Sequence, residues 1–146
     1  MKRREFLSNT TKILCACTMT SGVSLIQSCA ENVVMPLEDG EELVLDLNLE
    51  EYNVLLQNGG SIVTSSNKID SRGLLLIRIG ESVKAFSNNC THAGWGLRPF
   101  QNGQSTCVSG HGGKFNTDGL AVSSPASGRL KEYSTELNEN ILTITV

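Results

Sequence analysis

The stretch CTHAGWGLRPFQNGQSTCVSGHGGKF, residues 90–115, is the most informative part of this chain. It contains both histidines of the protein, His92 and His111, and two of the five cysteines, Cys90 and Cys107. These residues form a Cys-x-His pair and a Cys-x3-His pair on two glycine-rich segments. Taken singly, a cysteine or a histidine is more often structural, but two tight pairs of thiols and imidazoles are a ligand set for a transition metal. The sequence therefore predicts a metal centre closed by two loops.

The two segments resemble the ligand loops of the Rieske iron–sulfur domain, whose motif is C-x-H, a spacer and then C-x-x-H. Cys90-Thr91-His92 is similar to the first loop, and the run from His111 to Phe115 is similar to the second. The resemblance implies a Rieske-type [2Fe–2S] cluster in which Cys90 and Cys107 bind the inner iron and His92 and His111 bind the outer, solvent-facing iron. Neutral imidazoles in place of two thiolates raise the reduction potential above that of an all-cysteine ferredoxin.

The second pair departs from the family motif, because three residues, 108–110, separate Cys107 from His111 where the family has two. Glycines at 110, 112 and 113 make a local bulge feasible, since glycine adopts positive φ without a Cβ clash. The departure leaves alternatives open: an absent or altered cluster, a mononuclear Cys2His2 site, or a Cys90–Cys107 disulfide.

Further departures concern the reduction potential. High-potential family members clamp the two loops with a disulfide, and its positions fall here at Trp95 and Gly110. In those members a serine and a tyrosine donate hydrogen bonds to the cluster sulfurs. The corresponding positions here are Gly113 and Phe115, which carry no hydroxyl. The resemblance therefore predicts a potential in the lower part of the Rieske range of about −150 to +300 mV. Trp95 is interpreted as a packing residue that shields the cluster.

Residues 1–28 are predicted to be an export signal. The run KRREFL at residues 2–7 resembles a twin-arginine signal, and the weakly apolar stretch after it is shorter than the roughly 20 residues of a spanning helix. The run LIQSC at residues 25–29 resembles a lipobox, so Cys29 is the predicted lipidation site. These features predict a lipoprotein of the bacterial cell envelope, anchored in a membrane on the periplasmic side.

Residues 29–41 are predicted to be an acidic tether. Removal of residues 1–28 takes four basic residues and one acidic residue from totals of 12 and 15, which leaves 8 against 14, or −6. Residues 31–51 hold eight of those acids and no lysine or arginine. Nucleic acid is therefore not an expected partner.

Residues 42–146 are predicted to form one all-β Rieske-type domain, a small antiparallel sandwich or barrel with two cluster-binding loops. Leucines alternate with other residues over 43–49, and an apolar run broken only by Arg78 covers 74–79. Period-2 alternation predicts a half-buried strand, and a continuous run predicts a central one. Other predicted strands and turns lie at 58–60, 61–64, 83–86, 116–119 and 141–146, with one helical turn at 49–56. The loop 124–130 resembles the family's proline-containing loop, which covers the cluster from a third side.

The function predicted from this resemblance is one-electron transfer, with a cytochrome or an oxidoreductase subunit as the partner and no pocket for a small-molecule substrate. An electron carrier or oxidoreductase subunit is favoured over a self-contained enzyme. Rieske oxygenases need a further iron held by two more histidines and a carboxylate, and this chain has no further histidine. A degenerate Rieske-fold lipoprotein without an intact cluster, serving a structural role or binding another metal, is the alternative.

Overall fold

The computed structural model describes residues 40–146. The predicted export signal, the lipidation site at Cys29 and nearly all of the acidic tether lie outside the described residues. Within residues 40–146, no helix is both long enough and apolar enough to cross a bilayer.

The described residues form nine β-strands and a single 3-10 turn, so the predicted all-β fold is confirmed. The 3-10 turn at Asn53–Leu56 falls inside the predicted helical turn. The strands, in chain order, are β1 Glu42–Asp46, β2 Ser61–Val63, β3 Leu74–Ile79, β4 Ser82–Ser87, β5 Gln104–Thr106, β6 Lys114–Asn116, β7 Ala121–Ser123, β8 Glu132–Asn138 and β9 Ile141–Thr145.

The strands form two antiparallel sheets. The larger sheet has the order β1-β9-β8-β4-β3-β2, and the smaller has the order β5-β6-β7. The smaller sheet and both cysteine–histidine segments lie between β4 and β8 in the chain. Strands β4 and β8 are themselves neighbours, with Phe86 opposite Glu132 and the Ser87 N–H donating to the Lys131 carbonyl at 2.8 Å. The chain thus leaves the larger sheet and returns to it at adjacent positions.

Strand β3 separates two hydrophobic cores. Leu74 and Leu76 enter the first core, which lies between β1, β4, β8 and β9. Leu75 and Ile77 point to the opposite side and enter the second core, which contains Cys90 and Cys107. Burial on both faces explains why β3 is apolar from Leu74 to Ile77, and each leucine fully removed from water stabilises the fold by about 1.5–3 kcal/mol. The second core forms the floor beneath the candidate metal centre.

The alternating leucines of the first strand extend beyond the strand itself. Strand β1 ends at Asp46, whose carboxylate accepts the N–H of Asn48 at 2.9 Å and starts a turn. Leu47 remains fully buried, but Leu49 is 51% exposed. The predicted alternation is therefore wrong at Leu49, because a local side-chain hydrogen bond redirects the backbone.

Strand β8 is the longest strand described, and sequence reasoning missed it. Its sequence is EYSTELN, in which only Tyr133 and Leu137 are large and apolar. Tyr133 is buried in the first core, and its hydroxyl donates to Asp70 at 2.9 Å. A strand with one exposed polar face gives a weak apolar signal, although its period-2 pattern is present.

Candidate metal centre

The first loop, residues 88–97, follows β4 directly and carries Cys90 and His92. The Cys90 N–H donates to the Trp95 carbonyl at 2.7 Å, and the Gly94 N–H donates back to the Cys90 carbonyl at 2.8 Å. Gly94 has φ +71°, a conformation that favours glycine. These two hydrogen bonds close a tight turn that directs Cys90 inward and His92 outward.

Two polar side chains anchor the first loop to its surroundings. The Asn88 side chain accepts the N–H of Leu97 at 2.6 Å and donates to the carbonyl of Arg72 at 3.1 Å, so it joins the two ends of the loop to the segment before β3. The Arg72 guanidinium donates to the carbonyl of Gly94. Sequence reasoning missed both anchors, since neither residue belongs to the metal motif.

The second loop, residues 107–113, absorbs the extra residue. The Cys107 N–H donates to the Gly113 carbonyl at 2.9 Å, which closes the loop at its base. Gly110 and Gly112 have φ values of +77° and +82°. The predicted use of glycine to make the bulge is correct at these two positions, and His111 lies between them at the exposed tip.

Backbone contacts join the two loops, which have no disulfide between them. Leu97 and Cys107 form an antiparallel bridge, and the Val108 N–H donates to the Gly96 carbonyl at 3.0 Å. The Arg98 N–H donates to the Thr106 carbonyl at 2.9 Å. These contacts fix the spacing of the loops without a covalent clamp.

The four predicted ligands are brought together as two pairs. Cys90 and Cys107 are each 2% exposed and are both free thiols in the second core. His92 and His111 are exposed, and their ring centroids lie 5.3 Å apart with the planes at 75°. Thiols below and imidazoles above match the inner and outer positions that the resemblance implies.

The positions of the four residues bear on the alternatives that the sequence leaves open: a cluster, a mononuclear site and a disulfide. Cys90 and Cys107 are not joined by a disulfide. Within residues 40–146, no group of three or more histidine, cysteine or acidic side chains is close enough to hold a single metal ion. A cluster with two irons needs two ligands at each iron, so a pair of thiols and a separate pair of imidazoles fit it better than a mononuclear site.

The two thiols differ in their surroundings. Burial raises the pKa of Cys90, and its hydrogen bond with Cys107 adds to that effect. Burial also acts to raise the pKa of Cys107, but hydrogen bonds from the Ser109 side chain, Cys90 and the Ser109 backbone prevail, and this pKa is lowered. Cys107 is thus the thiol that more readily becomes a thiolate, the form that binds metal.

The proline-containing loop, residues 124–130, contacts both ligand loops. The Ser127 N–H donates to the Thr91 hydroxyl at 3.2 Å. A Cβ on Gly113 would lie 3.1 Å from the Ala126 Cβ, so the backbone of the second loop packs closely against this loop. The predicted third side of the site is therefore present in the structure.

The interpretation of Trp95 as a packing residue is wrong. Its carbonyl is used inside the first loop, but its side chain is 55% exposed. The turn that directs Cys90 inward directs the indole outward. The type of residue alone therefore could not predict whether this side chain is buried.

The described residues also line an open cavity of about 350 Å³ between β1, the 3-10 turn, β2 and the segment after β2. Its lining shares no residue with the two ligand loops. The absence of a small-molecule substrate pocket stays a prediction.

Solved structures with the same fold include a Rieske protein, a ferredoxin and a monooxygenase. The plasma membrane Rieske protein PetC3 from Synechocystis PCC 6803 is 22% identical, with a TM-score of 0.50 over 60% of this chain and 87% of that one. The Sphingomonas yanoikuyae B1 ferredoxin is 22% identical, with a TM-score of 0.50 over 62% of this chain and 88% of that one. Dicamba monooxygenase is 20% identical, with a TM-score of 0.52 over 73% of this chain but only 33% of that one. At these identities the likeness shows the fold.

No curated protein sequence matches this chain. The family model of the Rieske [2Fe-2S] domain matches residues 50–134, which include all four predicted ligands and the proline-containing loop. Fold and family match agree: this chain belongs to the Rieske [2Fe–2S] domain family, whose electron-transferring cofactor is a Rieske-type [2Fe–2S] cluster.

Proposed function

We propose that Cys90, His92, Cys107 and His111 are the cluster ligands of a one-electron carrier that is exported and anchored to a membrane of the bacterial cell envelope. The single observation that carries the ligand assignment is the separation of the two pairs. Both thiols are buried in the second core, and both imidazoles are exposed 5.3 Å apart. When bound, the cluster accepts and releases one electron without a change in protein covalent structure.

The chain's own residues prepare this site in three ways. The second core keeps water from the thiols, so it controls the solvent access and the dielectric environment of a bound cluster. The Leu97–Cys107 bridge fixes the first loop against the second, and the Asn88 side chain fixes the first loop to the segment before β3. The exposed edges of His92 and His111 are the parts of the site that another protein can reach.

A redox protein is the proposed partner, either a cytochrome or an oxidoreductase subunit. Trp95 in the first loop is 55% exposed, and Val108 in the second loop is 41% exposed. The two residues lie near each other, because the Val108 N–H donates to the carbonyl of Gly96, the residue after Trp95. Exposed apolar side chains beside a reactive site are typical of a surface for protein contact. An oxygenase role is not supported by this chain, because both of its histidines are assigned to the cluster.

Export and lipidation are proposed from residues 1–29. The twin-arginine-like run fits an iron–sulfur protein, because that route is understood to carry proteins already folded with their cofactor. The Cys29 thiol is the proposed acylation site. The Cys-x3-His spacing is the reason for one alternative, a degenerate lipoprotein without a cluster. The experiment distinguishes this alternative from the electron carrier.

The test uses full-length protein and two matched cysteine substitutions, Cys107→Ser and Cys29→Ser. Low-temperature EPR of dithionite-reduced protein reports the cluster, and membrane fractionation reports the anchor. Cys107→Ser should abolish the rhombic Rieske signal; because the proposed export route carries the protein with its cofactor, the membrane anchor is tested with Cys29→Ser alone. Cys29→Ser should retain the signal and release the protein from the membrane.

Each arm has its own refutation. A folded wild-type protein without a Rieske signal would favour the degenerate lipoprotein. A signal that survives Cys107→Ser would remove Cys107 from the ligand set. Membrane association that survives Cys29→Ser would refute the lipid anchor and leave the electron-carrier proposal untouched.

A further inference from the structure

The extra residue in the second loop brings a hydroxyl to a predicted ligand sulfur. Ser109 is half-buried, and its Oγ lies 3.1 Å from the Cys107 Sγ. The same Oγ accepts the N–H of His111 at 3.4 Å. One side chain therefore bridges the cysteine and the histidine of the Cys-x3-His pair.

The direction of these hydrogen bonds follows from the chemistry of the partners. A metal-bound cysteine is a thiolate and carries no proton, so it can only accept. The Ser109 oxygen accepts from the His111 N–H, which leaves its own proton free to point at the sulfur. The chain of donors thus runs from the His111 amide through the Ser109 hydroxyl to the Cys107 sulfur.

We propose that the Ser109 hydroxyl donates a hydrogen bond to the Cys107 sulfur and thereby raises the reduction potential of the site. This inference rests on the proposed function, because it requires Cys107 to be a cluster ligand. A hydrogen bond to a ligand sulfur stabilises the reduced, more negative state and so shifts the potential upward.

The position of this donor gives the extra residue a role. Gly113 and Phe115 carry no hydroxyl, so the donors expected from the family resemblance are missing at those positions. Ser109 is the middle residue of the three between Cys107 and His111, and Gly110 at φ +77° turns the chain so that the His111 N–H faces back toward it. The lengthened loop thus supplies from within itself a hydrogen bond that partly offsets the two that were lost.

The test is an anaerobic, EPR-monitored redox titration of the full-length, cluster-loaded protein. Ser109→Ala should retain the Rieske signal and shift the midpoint to lower potential, whereas Ser109→Thr, which keeps a hydroxyl, should remain near the wild type. The matched control is Ser82→Ala. The Ser82 hydroxyl is exposed and donates to the Ile79 carbonyl at 3.2 Å in the β3–β4 turn, so its loss should leave the midpoint unchanged.

A second pair, Ser109→Thr against Ser109→Val, compares side chains of equal shape that differ in the hydroxyl alone. The valine variant should have the lower midpoint. A cluster-bearing Ser109→Ala protein with the wild-type midpoint would overturn the inference and leave the proposed function intact. Loss of the cluster in both the alanine and valine variants, with retention in the threonine variant, would also overturn it, because the hydroxyl would then hold the loop rather than set the potential. A wild-type protein without a Rieske signal would overturn both proposals together.

Discussion

Gly119→Ala should destabilise the domain through two separable effects. Gly119 has φ +73°, and a Cβ at this position would lie 2.8 Å from Cε1 and 3.1 Å from Cδ1 of Phe86. Phe86 is fully buried in the second core, beneath the ligand loops. Since carbon atoms pack at about 3.5–4.0 Å, the ring or the backbone must move by about 0.7 Å or more.

The magnitude follows from the two terms. An L-residue in the left-handed region costs roughly 1–2 kcal/mol, and overpacking a core costs about 1–3 kcal/mol more. Gly119→Ala should therefore lower the free energy of unfolding by about 2–5 kcal/mol. Gly103 is the matched control, because it has φ +75° with no heavy atom of the described residues within 4 Å of its hypothetical Cβ. Gly103→Ala should cost only the backbone term, about 1–2 kcal/mol.

Urea unfolding of the full-length protein, followed by far-ultraviolet circular dichroism, measures both values. Any stabilisation that comes from restricting the unfolded chain is the same for the two glycine-to-alanine changes and cancels in their difference. Equal losses of stability for the two variants would refute the reasoning, because the ring of Phe86 would then have room to yield at no cost.

Asn88→Ala should lower the free energy of unfolding by about 1–3 kcal/mol, because it leaves the Leu97 N–H without its partner, and should increase hydrogen exchange at that amide. Substitution of the exposed neighbour Asn89 is the control, and equal exchange in both variants would contradict the anchoring role. Tyr133→Phe should cost about 1 kcal/mol at neutral pH through loss of the hydrogen bond to Asp70. Burial first, and then Asp70, raises the pKa of Tyr133 from 10.0 to about 12, so this contribution is complete below pH 10 and is lost as the pH rises through 12. Unfolding measured from pH 8 to 12 should therefore show the wild type and Tyr133→Phe converging at the alkaline end, and a constant difference would refute the assignment.

The parts of the fold that sequence reasoning found are those with a strong periodic or compositional signal. The run Leu74–Ile79 forms β3 with the predicted bounds, because its first four residues are apolar and buried and Arg78 is the only polar residue in it. The four residues of the metal motif lie where the resemblance implies, with cysteines buried and histidines exposed. The spacing of the four residues within two short loops determines these positions, so the sequence alone can predict them.

The residues that sequence reasoning missed act through partners that are distant in the chain or through a single polar atom. Asn88 reaches the carbonyl of Arg72, and no local pattern marks such a contact. In the sequence, Ser109 is only one of the three residues that depart from the motif. Its role as a hydrogen-bond donor depends on where the Cys107 sulfur lies. Trp95 is predicted to be a packing residue that shields the cluster, but the turn around it directs the ring outward.

The adjacency of the two ends of the segment 88–131 affects how much change in length this segment can tolerate. Because the chain leaves β4 and re-enters β8 beside it, this whole segment is an insertion into a larger sheet whose strand pairing is complete without it. A residue gained or lost inside the insertion shifts no register in the larger sheet. The segment can therefore differ in loop length, as with the three residues between Cys107 and His111, without any change in the strand pairing of the larger sheet.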